Sequence, residues 1–314
     1  MERWPFEKPF RITGYEWTES QVLVVEVRAG DLVGRGEALG VYYRDDTPER
    51  ALAQLEELAP PVEAALLPAG GARNALDCAL WDLRAKLERK PVWQLLGLEA
   101  PKPLRTTYTV GADEPAVMAA TARGYTKARA LKLKLTGDGD AERVLAVRAA
   151  RQDVWLGVDA NQGFTRDSLE RLMPVLQECN VQLIEQPFPV GREADLDGLA
   201  SSIPIAADES VQDLSDLKNL AGRFNVVNIK LDKCGGLTEG LAMLKEIRRL
   251  GLRAMVGCMG GTSLSMAPGF VLGQLCEIVD LDGPILFSHD RTPAAVYDDV
   301  GHIFCSEAVW GGAT

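Results

Sequence analysis

Histidine is almost missing from this 314-residue chain: only His289 and His302 occur, both near the C-terminus. That scarcity excludes most histidine-based acid–base schemes and any histidine-rich metal site. The six cysteines (Cys78, Cys179, Cys234, Cys258, Cys276, Cys305) are scattered and form no CxxC pair. In contexts such as ALDCALWDL a cysteine acts as a small hydrophobe, reduced in a cytoplasmic protein. No apolar run is long enough to span a membrane, and MERWPFEKPF lacks the apolar core of a signal peptide. The expectation is a soluble, cytoplasmic protein. Basic residues are also outnumbered, 34 Lys+Arg against 45 Asp+Glu for a net charge of −11. A chain so acidic is a poor partner for nucleic acid or an anionic membrane. Lysine, aspartate and glutamate remain to carry any chemistry.

What is present is abundant apolar core, 46% hydrophobic residues, in a chain long enough for a barrel plus a smaller domain. Residues 1–100 read as strands followed by helices: Val22–Val27, then a hairpin through Gly30, Gly34 and Gly36 into Ala38–Tyr43, then helices over 48–58 and 72–87. Leu76, Leu80, Leu83 and Leu87 share a face of the second helix. From about Leu104 short apolar runs alternate with helical stretches. Eight strands are expected at 106–110, 130–135, 154–159, 181–185, 203–207, 226–230, 254–258 and 278–280, with helices at 141–150, 169–179, 237–250 and 264–275. This alternation predicts an α/β barrel; a doubly wound open sheet is the alternative, but it gathers its ligand at one switch point. The expected division is 1–100, 101–290 and a segment 291–314 that returns to the first domain.

Three carboxylates end successive apolar runs: Asp159 in VWLGVDANQ, Glu185 in VQLIEQP and Asp208 in IPIAADES, 26 and 23 residues apart, about one strand, one helix and two loops. Any one alone could be a helix cap or a salt-bridge partner; three at consecutive strand ends read as hard oxygen ligands for Mg²⁺, with Mn²⁺ as a substitute. Asn161 and Glu209 stand beside them as groups that orient ligands or lysines. In LKLKL, Lys132 and Lys134 alternate with leucine and point to the same side of a strand, into the barrel. Lys230 repeats the theme two strands after Glu185. Burial, a neighbouring lysine and a cation all favour neutral lysine, a base useful at neutral pH. Because strands 2 and 6 face each other across an eight-strand ring, the two lysines flank a metal-held substrate. One removes a proton and the other returns one to the opposite face, inverting a carbon α to a carboxylate. Asp280 and Asp282 in VDLDGP face the same way and suit an ammonium, with a second metal site or a capping role as alternatives. The loop VGCMGGTSLS brings Cys258 and Met259 to the same mouth.

PAGGARNALDCALWDL, the Lys132–Lys134 pair, VDAN, EQP, ADES, VNIKLDKCGGLTE, GCM and DLDGP occur in the order found in the enolase superfamily. The chain resembles its muconate-lactonizing subgroup, and within it the dipeptide epimerases of the L-Ala-D/L-Glu type. The resemblance implies a (β/α)7β TIM-like barrel with an α+β N-terminal capping domain. It implies Mg²⁺ on Asp159, Glu185 and Asp208, Lys134 and Lys230 as the acid/base pair, Lys132 tuning Lys134, and Asp280 and Asp282 on the dipeptide ammonium. Relatives acting on Ala-Glu carry an arginine in an N-terminal loop; here the loop reads TGYEWT, with Glu16 and Trp17 as candidate specificity residues. A cationic or hydrophobic dipeptide is therefore expected in place of Ala-Glu. The rivals are muconate cycloisomerisation or o-succinylbenzoate synthesis on the same site, and a non-catalytic barrel. A homo-oligomer is compatible with the sequence.

Overall fold

The computed structural model describes residues 1–59 and 62–314. An antiparallel meander opens the chain: β1 (Glu2–Ile12), β2 (Tyr15–Ala29) and β3 (Leu32–Ala38). Two helices follow, α1 (Pro48–Glu56) and α2 (Gly71–Glu88), then one helical turn, α3 (Val92–Leu95). Pro5 and Pro9 break the alternation of β1, and its pairing shifts register between Pro5 and Phe10. That interruption hides β1 from a reading of the sequence.

The second strand of the hairpin is β3, not Ala38–Tyr43. The turn falls at Gly30, and Gly34 and Gly36 lie inside the strand because α2 packs on it without a gap. A Cβ on Gly34 would stand 2.1 Å from the Ala79 carbonyl oxygen, and one on Gly36 2.1 Å from that of Ala75. On α2, Leu76 and Leu83 are buried as expected, but Leu87 is 56% exposed.

Between the two layers β4 (Leu104–Arg105) leads into β5 (Tyr108–Val110) and α4 (Pro115–Gly124). Next come β6 (Ala130–Lys134), α5 (Asp140–Ala150), β7 (Trp155–Asp159), α6 (Arg166–Glu178), β8 (Leu183–Glu185) and β9 (Ile205–Ala207). The series ends with β10 (Val226–Lys230), α7 (Leu231–Cys234), α8 (Leu237–Arg249), β11 (Arg253–Gly257), α9 (Ser263–Gly273) and β12 (Ile278–Asp280). Strands β5 to β12 pair in parallel in sequence order. The Thr107 N–H donates to the Val279 carbonyl at 3.0 Å and closes the ring into a barrel. The interval from Glu185 to Asp208 holds only a short 3₁₀ turn at Glu193–Leu196, where a full helix was expected.

Period-two alternation sorts the barrel. Leu131, Leu133, Leu156, Val158, Ile184, Val227, Ile229 and Val256 face the helices. Trp155, Leu183, Ala206, Val226, Met255 and Ile278 fill the interior as an apolar floor. The same inward parity, two to four residues further along, brings polar residues to the carboxyl end of each strand. The barrel thus has a dry bottom and a charged top.

A last pair of strands, β13 (Val296–Tyr297) and β14 (His302–Phe304), joins β4 in a small sheet. Beyond it Trp310 donates to the carbonyls of Arg35 and Cys78, and the Gly311 N–H donates to Asp82. All six cysteines are free thiols. Among the described residues no helix is long and apolar enough to cross a membrane.

Candidate active site

The inward carboxylates meet at the barrel mouth. Asp159 and Glu185 are the last residues of β7 and β8, paired in register, and Asp208 follows β9 by one residue. All three are buried, and they offer oxygens within 4.8 Å of one another. A cation taking ligands at roughly 2.0–2.6 Å can bridge such a span. Glu185 Oε2 is buried without a hydrogen bond, although Lys132 Nζ lies 2.8 Å away off its bonding direction. Three buried carboxylates within that span, with no thiol or imidazole in the cluster among the described residues, fit a divalent cation of the Mg²⁺ class.

The lysines crowd the same acids. Lys134 Nζ donates to Asp159 at 2.6 Å and Lys230 Nζ to Asp208 at 2.7 Å. Lys132 Nζ reaches three carboxylates: Asp280 and Glu185 at 2.8 Å and Asp159 at 3.1 Å. Burial alone pushes Lys132 and Lys230 down, but the facing carboxylates outweigh it and hold both ammonium groups well above the usual lysine range. These are the directions that the protein's own groups impose, four carboxylates acting on Lys132 and two, Asp208 and Glu185, on Lys230. The acids divide. Burial pushes Glu185 up, while Lys134 and Lys132 overcome burial at Asp159 and hold it down. Glu209 is likewise pushed up, by burial and then by Asp208 and Asp159.

Asn161 donates to Glu209 at 3.2 Å, and its own N–H bonds Asp159 at 2.9 Å. Asp280 accepts from Lys132 and from the Thr107 hydroxyl. Asp282 takes the Thr109 N–H at 2.5 Å and is pushed up by burial and by Asp280. A cavity of about 340 Å³ opens above, lined by Lys132, Lys134, Asn161, Lys230, Cys258, Met259, Asp280, Asp282 and Trp17. Glu16 is not brought there: its carboxylate lies on the exposed side of the hairpin, 2.6 Å from Arg11 Nε. Alternation along β2 turns Trp17 inward and Glu16 out.

Two residues escaped the sequence, and a third, Lys233, is visible there only as a second lysine in the run that follows the acids. Lys233, 1% exposed, donates to the Asp208 carboxylate at 2.6 Å and to its carbonyl at 2.7 Å. It stands three residues after Lys230 in the same VVNIKLDK run, and that spacing is the local signal that marks it. Asn228 donates to Glu185 at 2.9 Å, and Gln186 accepts from the Asp208 N–H at 2.9 Å. Both look like ordinary strand-end polars until the barrel closes.

Residues 116–301 match the model of the enolase C-terminal domain-like family, and residues 1–97 that of the mandelate racemase/muconate lactonizing enzyme N-terminal domain. The chain belongs to the enolase superfamily. It is 38% identical to the L-Ala-D/L-Glu epimerase of Escherichia coli (strain K12), over 93% of this chain and 94% of the relative. An enolase family member from Agrobacterium tumefaciens, with homology to dipeptide epimerases and solved with sodium and L-Ala-L-Glu, superposes with a TM-score of 0.95. Its identity is 38%, over 99% of this chain and 98% of that one. A dipeptide epimerase from Enterococcus faecalis, complexed with Mg and L-Leu-L-Tyr, gives 0.89 at 26% identity, over 99% and 96%. This superfamily member is accordingly an isomerase of the racemase and epimerase kind, with a barrel and a capping domain.

Proposed function

We propose that this protein is a Mg²⁺-dependent dipeptide epimerase that inverts the α-carbon of the C-terminal residue, with preference for an apolar side chain there. The observation that carries it is the arrangement of Lys134 and Lys230 on opposite barrel strands around three buried carboxylates, with Asp280 and Asp282 at the same mouth. Domain limits near residues 100 and 290 go with this reading.

Asp159, Glu185 and Asp208 would hold the metal, which when bound would supply positive charge to stabilise a substrate carboxylate as its α-proton leaves. Lys134 Nζ and Lys230 Nζ act from opposite faces. On one face the C–H bond breaks as an N–H bond forms; on the other an N–H bond breaks as the new C–H bond forms, and the configuration inverts. Lys132 tethers Asp280, Asp159 and Glu185 to one another, and Asn161 orients Glu209. Asp282, with one oxygen on the Thr109 N–H, receives the substrate ammonium, shared with Asp280. Cycloisomerisation, whose substrate carries no ammonium, gives Asp282 no charge to meet, whereas Asp280 is already paired with Lys132.

The side-chain preference follows from the lining. Phe6, Phe10, Ile12, Trp17, Tyr42 and Leu286 form the outer wall. Trp17 and Tyr42 pack edge to face at 5.1 Å, a rigid aromatic corner. No arginine is among the lining residues; Arg11 turns to Glu16 and Asp113. The outer wall's acid, Glu19, is paired with Arg3 at 3.0 Å, which weakens the case for a cationic side chain. The test incubates the Mg²⁺-loaded protein with a dipeptide library in D₂O and reads α-deuterium by mass spectrometry. Dipeptides with an aliphatic or aromatic C-terminal residue should exchange fastest. No exchange in any dipeptide overturns the epimerase reading; fastest exchange in Ala-Glu overturns the preference alone.

A further inference from the structure

The capping sheet sends one carboxylate deep into the junction with the barrel. Glu37 of β3 is 1% exposed. Its Oε1 accepts the Thr262 N–H at 2.8 Å, and its Oε2 accepts the Thr262 hydroxyl at 2.5 Å. Arg291 donates to the same Oε2 from Nε at 2.9 Å and Nη2 at 2.8 Å. That guanidinium also pairs with Glu2 of β1 and lies 5.1 Å from the Trp4 ring centre. Strands β1 and β3 and the C-terminal segment therefore converge on one barrel residue, Thr262.

Thr262 caps α9, its hydroxyl accepting from the Leu264 N–H. It is also where the segment 258–261 ends, and Cys258, Met259 and Gly260 of that segment line the substrate cavity. Gly260 and Gly261 hold left-handed backbone, φ 98° and 103°. The segment has no slack on either side. A Cβ on Gly261 would stand 2.8 Å from Leu39 Cδ1, and a Cβ on Gly283 2.7 Å from the Gly261 carbonyl oxygen. Gly283 directly follows Asp282. Thr262, the cavity wall and the backbone beside Asp282 are therefore in close contact in series.

We propose that Glu37 is a positioning residue for the amino end of the substrate. Acting through Thr262, it fixes the 258–261 loop and with it Asp282, and so sets dipeptide affinity and not the proton transfer itself. The kinetic part rests on the epimerase reading; the positional part does not. A carboxylate that merely latched two domains would lower the melting temperature and leave the loop in place in the folded protein.

The test uses the full-length, Mg²⁺-loaded protein below its melting temperature. Glu37→Gln places an amide donor against the Thr262 hydroxyl and Arg291. Thr262→Val keeps the shape and removes the hydroxyl that Glu37, Arg291 and the Leu264 N–H share, a second variant independent of the first; Thr262→Ser keeps both donors and serves as the rescue. Iodoacetamide labelling of Cys258 is located by peptide mass spectrometry and referenced to Cys276, which lies beyond α9. Losing a hydrogen bond to a charged partner should raise that labelling ratio about 10-fold in Glu37→Gln and Thr262→Val, with Thr262→Ser at the wild-type value. The KM for the best dipeptide should rise about 10-fold, with kcat changed by less than about 3-fold. An unchanged labelling ratio in the folded variants overturns the proposal, as does a fall in kcat at constant KM. If the wild-type protein epimerises no dipeptide, the functional reading fails while the labelling still decides the positioning.

Discussion

At the scale of single residues, the two lysines should be separable by the face they serve. In D₂O, Lys134→Ala should abolish exchange from one substrate epimer and Lys230→Ala from the other, each by about 10²–10⁴-fold. Equal loss from both epimers in both variants contradicts a two-base site. Asn228 offers a cleaner probe of the metal, because it carries no charge and reaches Glu185 at 2.9 Å. Asn228→Leu should weaken Mg²⁺ binding about 10–100-fold by calorimetry, since groups that orient ligands contribute on that scale. Trp17→Ala should cut kcat/KM about 10–200-fold for a C-terminal aromatic dipeptide and far less for one ending in alanine, the range a hydrophobic pocket commands.

At the scale of elements, the capping domain and barrel are joined by a buried side chain of one that caps a helix of the other. Asp77 of α2 accepts from the Thr238 N–H at 2.9 Å and from its hydroxyl at 2.5 Å, at the first turn of α8. Asp77 thus caps a helix through a residue 161 positions downstream. Asp77→Ala should cost about 0.5–2 kcal/mol, read as a fall in the urea midpoint at unchanged slope. Most strands and helices were legible, because an apolar run of period two or 3.6 is a local signal. β1 was not, since Pro5 and Pro9 interrupt it, and Gly34 and Gly36 passed for turn residues because the helix that demands them lies about 40 residues on.

At the scale of the molecule, three buried carboxylates converge with their lysines where eight strands end. A divalent cation bound only by the folded chain should stabilise it by about 2.7 kcal/mol at a concentration 100 times its Kd. The melting temperature should therefore rise with added Mg²⁺ and fall with EDTA, and Asp159→Asn should blunt both responses. A melting temperature indifferent to Mg²⁺ in the wild-type chain contradicts a metal site at Asp159, Glu185 and Asp208.

The sequence by itself determined the set of groups that reach the barrel mouth. Strand parity is local, so Lys132, Lys134, Asp159, Glu185, Lys230 and Asp280 could be read as inward-facing before any strand was paired. Tertiary structure alone decided what those groups meet. Lys132 tethers three carboxylates contributed by three different strands, which only the closed barrel brings to one ammonium group. Glu16 turns out to solvent and Arg11 while Trp17 turns in. Lys233, Asn228 and Gln186 acquire purpose only beside acids brought from other strands. The reason is physical: the period of a strand is set by its own backbone, whereas charge state and loop orientation are set by fields and contacts from residues far away in the chain.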